Sequence, residues 1–374
     1  MRIGIFHPTL DVYGGAEIVA VATANALAQN GFDVLLFMNK SVEQKRIKKM
    51  VGAPLSPSIR VITKPAVLPQ RGSFHLYESA ARSLIFKSHC DILIDTYSCF
   101  IYPWIDVSYM HFPYLNNYDY SPKFPYLIKP HFRQALTLPY ALFEKNIEDY
   151  SGKLILANSY FTARAIKESL GADSKVLYPP VPNALFEKKM NFDSPREDMV
   201  VTIARFGPSK GVELVPEIAR FVDKNINFVM IGLAQDLNVL QAVKNRIHEF
   251  GIDNRVSVIT DASRQDIISY LTRAKVYLHT TKMEHFGISI AEAMAFGCLP
   301  VVHDSGGAPE FVPDQYRYKD SKIAAMKVEQ AITKWSPQKA KSMVNTAERF
   351  SENNFSKRLI DLFNEYCSFS SDRR

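Results

Sequence analysis

Cysteine is scarce in this chain. Its four thiols, Cys90, Cys99, Cys298 and Cys367, have spacings that suit neither a metal clasp nor a disulfide framework, which points to a reducing compartment. No apolar run is long enough to cross a bilayer and residues 1–6 already read as a strand, so a soluble or peripheral protein is expected. No cluster of His, Asp and Glu has metal-ligand spacing and no Asp-x-Asp pair occurs, so neither an essential metal nor a cofactor is expected. Gly14-Gly15 lacks the third glycine of a dinucleotide fingerprint, and no convincing ribose-binding acid accompanies it. Hydride transfer from a nicotinamide is therefore disfavoured. No recognisable nucleic-acid-binding motif is present, and no nucleic-acid partner is expected.

The chain has 374 residues, 47% of them hydrophobic and 22% charged, enough for two domains with substantial cores. Lys and Arg (45) exceed Asp and Glu (38), a formal net charge of +7. A mild cationic excess suits a polyanionic substrate or an anionic membrane surface.

Apolar runs of strand length alternate with helical stretches throughout. Arg2 to Phe6, Asp33 to Met38, Asp91 to Asp95, Ile105 to Met110 and Lys153 to Ala157 fit buried parallel strands. Gly15 to Asn30 has helical period, with Ile18, Val19, Ala22 and Ala26 on one side and Gly31 as a stop. A second series runs Met199 to Ala204, Asn227 to Gly232, Arg255 to Thr260, Lys275 to Thr280 and Leu299 to His303. This alternation predicts parallel sheets covered by helices on both faces. The prolines between Tyr178 and Pro195 resist both helix and central strand and predict a linker there.

The richest stretch is Glu284-His-Phe-Gly-Ile-Ser-Ile-Ala-Glu292. Glu284 follows an expected strand, Glu292 lies in an expected helix, and Phe286-Gly287-Ile288 puts bare backbone at that helix's N-terminus. Free N–H groups and the positive end of the dipole favour an anion there, and glycine lets a phosphate approach closely. Two carboxylates that accept hydrogen bonds from sugar hydroxyls, flanking a phosphate cradle, suit a nucleotide sugar.

Glu284-x7-Glu292, Gly297-Cys-Leu-Pro-Val-Val302 and Asp304-Ser-Gly-Gly307 resemble the signature of family-4 glycosyltransferases, retaining enzymes of GT-B fold. Ala204-Arg205-Phe206-x3-Lys210-Gly211 resembles the family's diphosphate-binding Arg and Lys, and Gly14-Gly15-Ala16-Glu17 its N-terminal glycine loop. The motifs keep the family's order and cover residues 3 to about 365. Tyr109-Met-His-Phe-Pro113, Tyr178-Pro-Pro180 and the Glu-His-Phe-Gly form are similar to mannosyltransferases that extend dolichol-linked oligosaccharide.

The resemblance implies an α/β protein with two Rossmann-like domains facing across a cleft and a C-terminal helix packing back on the first. The expected boundaries are 1–182 for an acceptor-binding domain, 183–198 for the linker, 199–350 for a nucleotide-sugar-binding domain and 351–374 for the returning helix. It implies transfer of mannose from GDP-mannose to a glycan or lipid-linked glycan at the cytoplasmic face of a membrane. A UDP-sugar transferase making polysaccharide or glycolipid is the alternative, followed by a sugar-nucleotide epimerase.

Arg205 and Lys210 would stabilise the departing diphosphate, where charge accumulates as the glycosidic bond breaks. Glu284 would hold a donor-sugar hydroxyl, with the amides of Phe286, Gly287 and Ile288 on sugar and phosphate and Glu292 on the ribose. By the family's favoured front-face account, a donor phosphate oxygen takes the acceptor proton, so Glu284 positions and does not attack. His111 would contact the transferred sugar and support oxocarbenium charge. Gly14 and Gly15 would serve the donor phosphate or the acceptor, Gly232 and Asp261 the base pocket, while Glu17 reads as structural. His285 and His303 fit structural or edge roles equally well. Aromatics and cations over Tyr118 to Tyr150, with Lys45-Arg46-Ile47-Lys48-Lys49, suit peripheral contact with an anionic membrane; a solvated helix face fits the shorter run equally well.

Overall fold

The computed structural model describes residues 1–10, 14–67, 74–98, 100–113, 150–187 and 191–371. The aromatic segment from Tyr118 onward therefore lies almost entirely outside the described residues, as does Cys99. The chain divides into two compact units, one of residues 1–182 with 351–374 and one of residues 183–350. The described residues of 183–198, the stretch expected to be a linker, instead group with the second unit. Arg196 explains why: its guanidinium is buried, donates to the carbonyls of Leu271, Ala274 and Phe296, and lies over the rings of Phe192 and Trp335.

In the first unit, β1 (Arg2–Phe6), β2 (Asp33–Met38), β3 (Arg60–Thr63), β4 (Ile92–Asp95), β5 (Val107–Met110), β6 (Leu154–Ala157) and β7 (Lys175–Val176) form a parallel sheet in the order β3-β2-β1-β4-β5-β6-β7. The helices α1 (Gly15–Gln29), α2 (Gln44–Val51), α3 (Phe74–Lys87) and α4 (Tyr160–Leu170) complete the alternation. On one face Phe6, Leu35, Phe37, Phe86, Leu93 and Phe100 form a core in which the Phe37 and Phe86 rings stack 4.1 Å apart. Strand order reverses between β1 and β4, and ligands of open α/β sheets gather at the carboxyl ends beside such a reversal.

The C-terminal helix Glu352–Ser371 belongs to this unit and packs on α1. Leu359, Leu362 and Phe363 are buried, and the Phe363 ring meets Phe32 edge-on at 5.4 Å. This changes the reading of α1. Its spacing suggested one apolar face, yet Ala20, Val21 and Ala24 are buried as fully as Ile18 and Val19, because the returning helix supplies a second apolar neighbour.

In the second unit, short helix α5 (Ala184–Glu187) precedes β8 (Glu197–Ile203), α6 (Leu214–Ala219), β9 (Asn227–Ile231), α7 (Leu237–Glu249) and β10 (Val256–Ile259). There follow α8 (Arg264–Arg273), β11 (Ala274–His279), α9 (Ile288–Ala295), β12 (Leu299–His303), β13 (Arg317–Tyr318), α10 (Ser321–Lys334) and α11 (Pro337–Glu348). The sheet is parallel, in the order β10-β9-β8-β11-β12-β13, so its reversal falls between β8 and β11. Side chains cap most of the helices that cover it. Asp236 starts α7, Ser263 and Asp266 form a reciprocal capping box on α8, and Ser336 caps α11 ahead of Pro337. The helix α9 is different: it starts at Gly287 in the left-handed region (φ 98°), with no side chain capping it.

Candidate functional site

The loop after β8 carries Arg205 and Lys210, and the loop after β11 carries Glu284, so both flank the reversal in the second sheet. The first loop is shaped by glycine. Gly211 has φ +60°, and a Cβ on it would lie 3.0 Å from the carbonyl oxygen of Thr280. The hydroxyls of Thr280 and Thr281 donate to the Lys210 carbonyl at 3.2 and 3.3 Å. Lys210 Nζ then reaches Glu284 Oε2 at 3.0 Å. Arg205 is exposed and makes no ion pair among the described residues.

Glu284 has a second donor, His279 Nε2, at 3.2 Å to the same oxygen. A carboxylate facing a ring nitrogen can only accept, so that nitrogen carries the hydrogen. Burial alone would raise the carboxyl pKa, but Lys210, His279 and His285 outweigh it and hold Glu284 well below the usual carboxylate range. The site therefore contains a fixed, ionised acceptor beside an uncapped helix N-terminus.

The loop bearing Glu284 is tied down by the Asp304-Ser-Gly-Gly307 segment. Met283 adopts φ 54°, rare for a side-chain-bearing residue. Its N–H donates to Ser305 Oγ at 2.9 Å, and Ser305 Oγ lies 2.7 Å from His303 Nδ1. A Cβ on Gly306 would lie 2.2 Å from the Glu284 carbonyl oxygen, and one on Gly307 2.2 Å from that of His285. Only bare backbone fits.

Phe286 is buried, its ring against those of Phe311 and Phe350, which anchors the loop just ahead of Gly287 and Ile288. Glu292 lies on α9, only 3% exposed, and its Oε1 accepts from Arg264 Nη2 at 2.6 Å. Gly232 and Asp261 follow β9 and β10 on the same sheet edge. Gly232 is required by packing, since a Cβ would lie 1.7 Å from the Ala204 carbonyl oxygen, whereas Asp261 is exposed.

In the first unit, Gly14 caps α1 in extended conformation, and a Cβ on it would lie 2.5 Å from Glu17 Oε2. The carboxylate of Glu17 thus folds back against the helix's own positive end. An anion approaching Gly14-Gly15 would meet that charge, which suits neutral hydroxyls better than phosphate.

His111 follows β5, and its Nε2 donates to the Thr96 carbonyl at 3.1 Å, while its own carbonyl accepts from Asn158 Nδ2 at 2.8 Å. Burial lowers its pKa to about 4. The same Thr96 contacts a second histidine. Its hydroxyl donates to the Phe6 carbonyl at 3.4 Å, so it accepts at 3.0 Å from His7 Nδ1, whose ring burial pushes down to about 3. Both imidazoles are neutral at physiological pH.

Four of these residues escaped sequence reasoning: His279, Arg264, His7 and Thr96. His7 had a usable signal, since strand-His-Pro at Phe6-His7-Pro8 parallels strand-His-Phe-Pro at His111. The others become visible only when distant loops are brought together. Among the described residues no group of three His, Cys, Asp or Glu could hold a metal ion, and no helix is long and apolar enough to cross a membrane.

Residues 186–357 match the family described as Glycosyl transferases group 1. A GDP-Man:Man(3)GlcNAc(2)-PP-Dol alpha-1,2-mannosyltransferase of Dictyostelium discoideum is 27% identical over 237 residues, 56% of this chain and 46% of that protein. The Neurospora crassa protein of the same name is 30% identical over 208 residues, 50% of this chain and 37% of that one. The chain thus spans less than half the length of these relatives. Among solved structures, Anabaena HepE in complex with UDP and glucose superposes with a TM-score of 0.71 at 19% identity, covering 98% of this chain and 100% of that one. WaaG, a glycosyltransferase involved in lipopolysaccharide biosynthesis, does so at 0.70 and 15% identity, covering 96% and 99%. The fold is GT-B, built of two Rossmann-like units with parallel sheets.

Proposed function

We propose that this chain, whose residues 186–357 are a glycosyl transferases group 1 domain, is a retaining mannosyltransferase that uses GDP-mannose and a lipid-linked glycan acceptor. The observation that carries this reading is the ionised Glu284, held by Lys210 at 3.0 Å beside the uncapped N-terminus of α9. A sugar hydroxyl, a leaving diphosphate and a fixed negative charge find complementary partners there. The names of the Dictyostelium and Neurospora relatives supply the nucleotide, the sugar and the acceptor class.

In this reading Arg205 and Lys210 take the diphosphate as negative charge builds on it, with the α9 amides completing the cradle. Glu284 accepts a hydrogen bond from the donor sugar, and Glu292, aligned by Arg264, accepts from the ribose. Gly232 and Asp261 border the base. The acceptor proton passes to a donor phosphate oxygen, and no covalent glycosyl intermediate forms on Glu284. His111 contributes a neutral imidazole to sugar binding in the first unit, with Gly14 and Gly15 turned toward hydroxyls. Two cations and a helix end stabilise the leaving group without a metal.

Membrane contact would come from α2, where Lys45, Arg46 and Lys48 are exposed and Ile47 is buried beneath them. Each cation near an anionic surface contributes about 1 kcal/mol, so several act together at modest salt. Binding to anionic liposomes is expected to weaken as salt rises, and changing Lys45, Arg46, Lys48 and Lys49 to Gln is expected to release the protein with donor affinity intact. Equal pelleting with neutral and anionic vesicles would favour a soluble acceptor.

The donor reading is tested by a thermal-shift screen of GDP, UDP and ADP with their sugars. A ligand present at 100 times its dissociation constant adds about 2.7 kcal/mol to stability. The largest shift is expected with GDP-mannose; a larger one with UDP-glucose would move the assignment to a UDP-sugar transferase.

A further inference from the structure

Glu284 Oε2 is held by two donors of different character. Lys210 offers a mobile point charge on a partly exposed stem, the same charge the proposed function assigns to the leaving diphosphate. His279 is 3% exposed, its ring stacks on Tyr277 at 6.1 Å, and its carbonyl accepts from the Tyr318 hydroxyl at 3.0 Å. It cannot follow a ligand.

One ammonium cannot serve two anions equally well. A diphosphate carries more charge than a carboxylate, so its arrival draws Lys210 away from Glu284. Were Lys210 the sole donor, donor binding would strand an ionised, largely buried carboxylate, a costly state that would be subtracted from affinity. His279 prevents this, because its Nε2–H remains on Glu284 Oε2 after the lysine leaves.

We propose that His279 is a positioning residue that keeps Glu284 fixed while Lys210 passes from Glu284 to the donor diphosphate. This rests on the donor site proposed above, and nothing in the Glu-His-Phe-Gly signature itself assigns it.

A double-mutant cycle read by calorimetry with GDP tests it. His279→Leu is expected to weaken GDP binding about 10-fold or more, the scale of one hydrogen bond to a charged group. In a Lys210→Met background, where no lysine is drawn away, His279→Leu is expected to change GDP affinity little. A residue that merely packs would cost the same in both backgrounds. His279→Gln, whose amide N–H reaches the former Nε2 position, is expected to restore affinity, and His279→Asn, which pulls the donor back, is not. The Gln and Asn pair keeps the test valid if the Leu variant fails to fold.

Equal losses in both backgrounds, full GDP affinity in His279→Leu, or Gln and Asn behaving alike would overturn the role of His279 and leave the donor site standing. Wild-type protein that binds neither GDP nor UDP would overturn the donor site and this inference together.

Discussion

Gly307 donates its backbone N–H to the carbonyl of Glu284 at 2.7 Å. The carboxylate at the centre of the candidate site is therefore positioned from behind by a loop 23 residues further along the chain, through main-chain atoms and not through a side chain. Gly306→Ala and Gly307→Ala each drive a methyl into backbone oxygen at 2.2 Å. Displacing a reacting group by about 1 Å can cost on the order of 10²-fold in rate. Both variants are expected to lose turnover on that scale while keeping the helical circular dichroism of the parent. Near-normal turnover in either would mean the loop tolerates displacement.

Arg196 is a stability residue. Its guanidinium, with a pKa lowered by burial, satisfies the carbonyls of Leu271, Ala274 and Phe296. Arg196→Ala strands these acceptors and is expected to cost about 3 kcal/mol or more. The check is the denaturant midpoint of unfolding; a change below about 0.5 kcal/mol would show that water replaces the side chain.

Much of the fold is legible in the sequence because its signals are local. Buried parallel strands appear as short apolar runs, and β1, β2, β9 and β12 lie where those runs fall. Arg196 shows the limit: a charged residue among prolines and polar residues reads as linker, and only carbonyl ends arriving from residues 271–296 make its burial affordable. The site divides in the same way. Glu284 and Lys210 carry their own motifs, whereas Arg264 is recognised by its contact with Glu292, 28 residues away, and Thr96 by touching two histidines. One apolar side of α1 is legible in its spacing, but the burial of the other depends on a neighbour supplied by residues 352–371.

Acid should loosen the first unit. The unfolded-state pKa of histidine is near 6.5, whereas burial lowers His7 to about 3 and His111 to about 4. The unfolded chain binds more protons in this window, so the contribution of keeping these rings neutral is complete above about pH 6.5 and declines as pH falls toward 4. Melting temperature is expected to drop across that range, and less steeply in His7→Gln. Identical slopes for parent and variant would mean that His7 does not titrate on unfolding as described.

Arg205→Ala and Lys210→Ala are expected to lower turnover by on the order of 10²–10³-fold, as when an oxyanion donor is removed. Both side chains are loop-borne and at least partly exposed, so melting temperature should change little. A double variant with near-normal rate would remove the diphosphate assignment.

Chelation is expected to leave transfer intact, since the proposed leaving-group site relies on two cations and a helix end. Loss of activity in EDTA, restored only by Mg²⁺ or Mn²⁺, would show that a metal shares that charge.

The returning helix also imposes an order on synthesis. The second unit is one continuous segment, residues 183–350, and has all its strands once that segment exists. The first unit is assembled from two pieces separated by the whole of the second. Until the residues beyond 351 have been made, α1 keeps an uncovered apolar side that invites association with other chains. The first unit therefore cannot be completed until the whole of the second has been made.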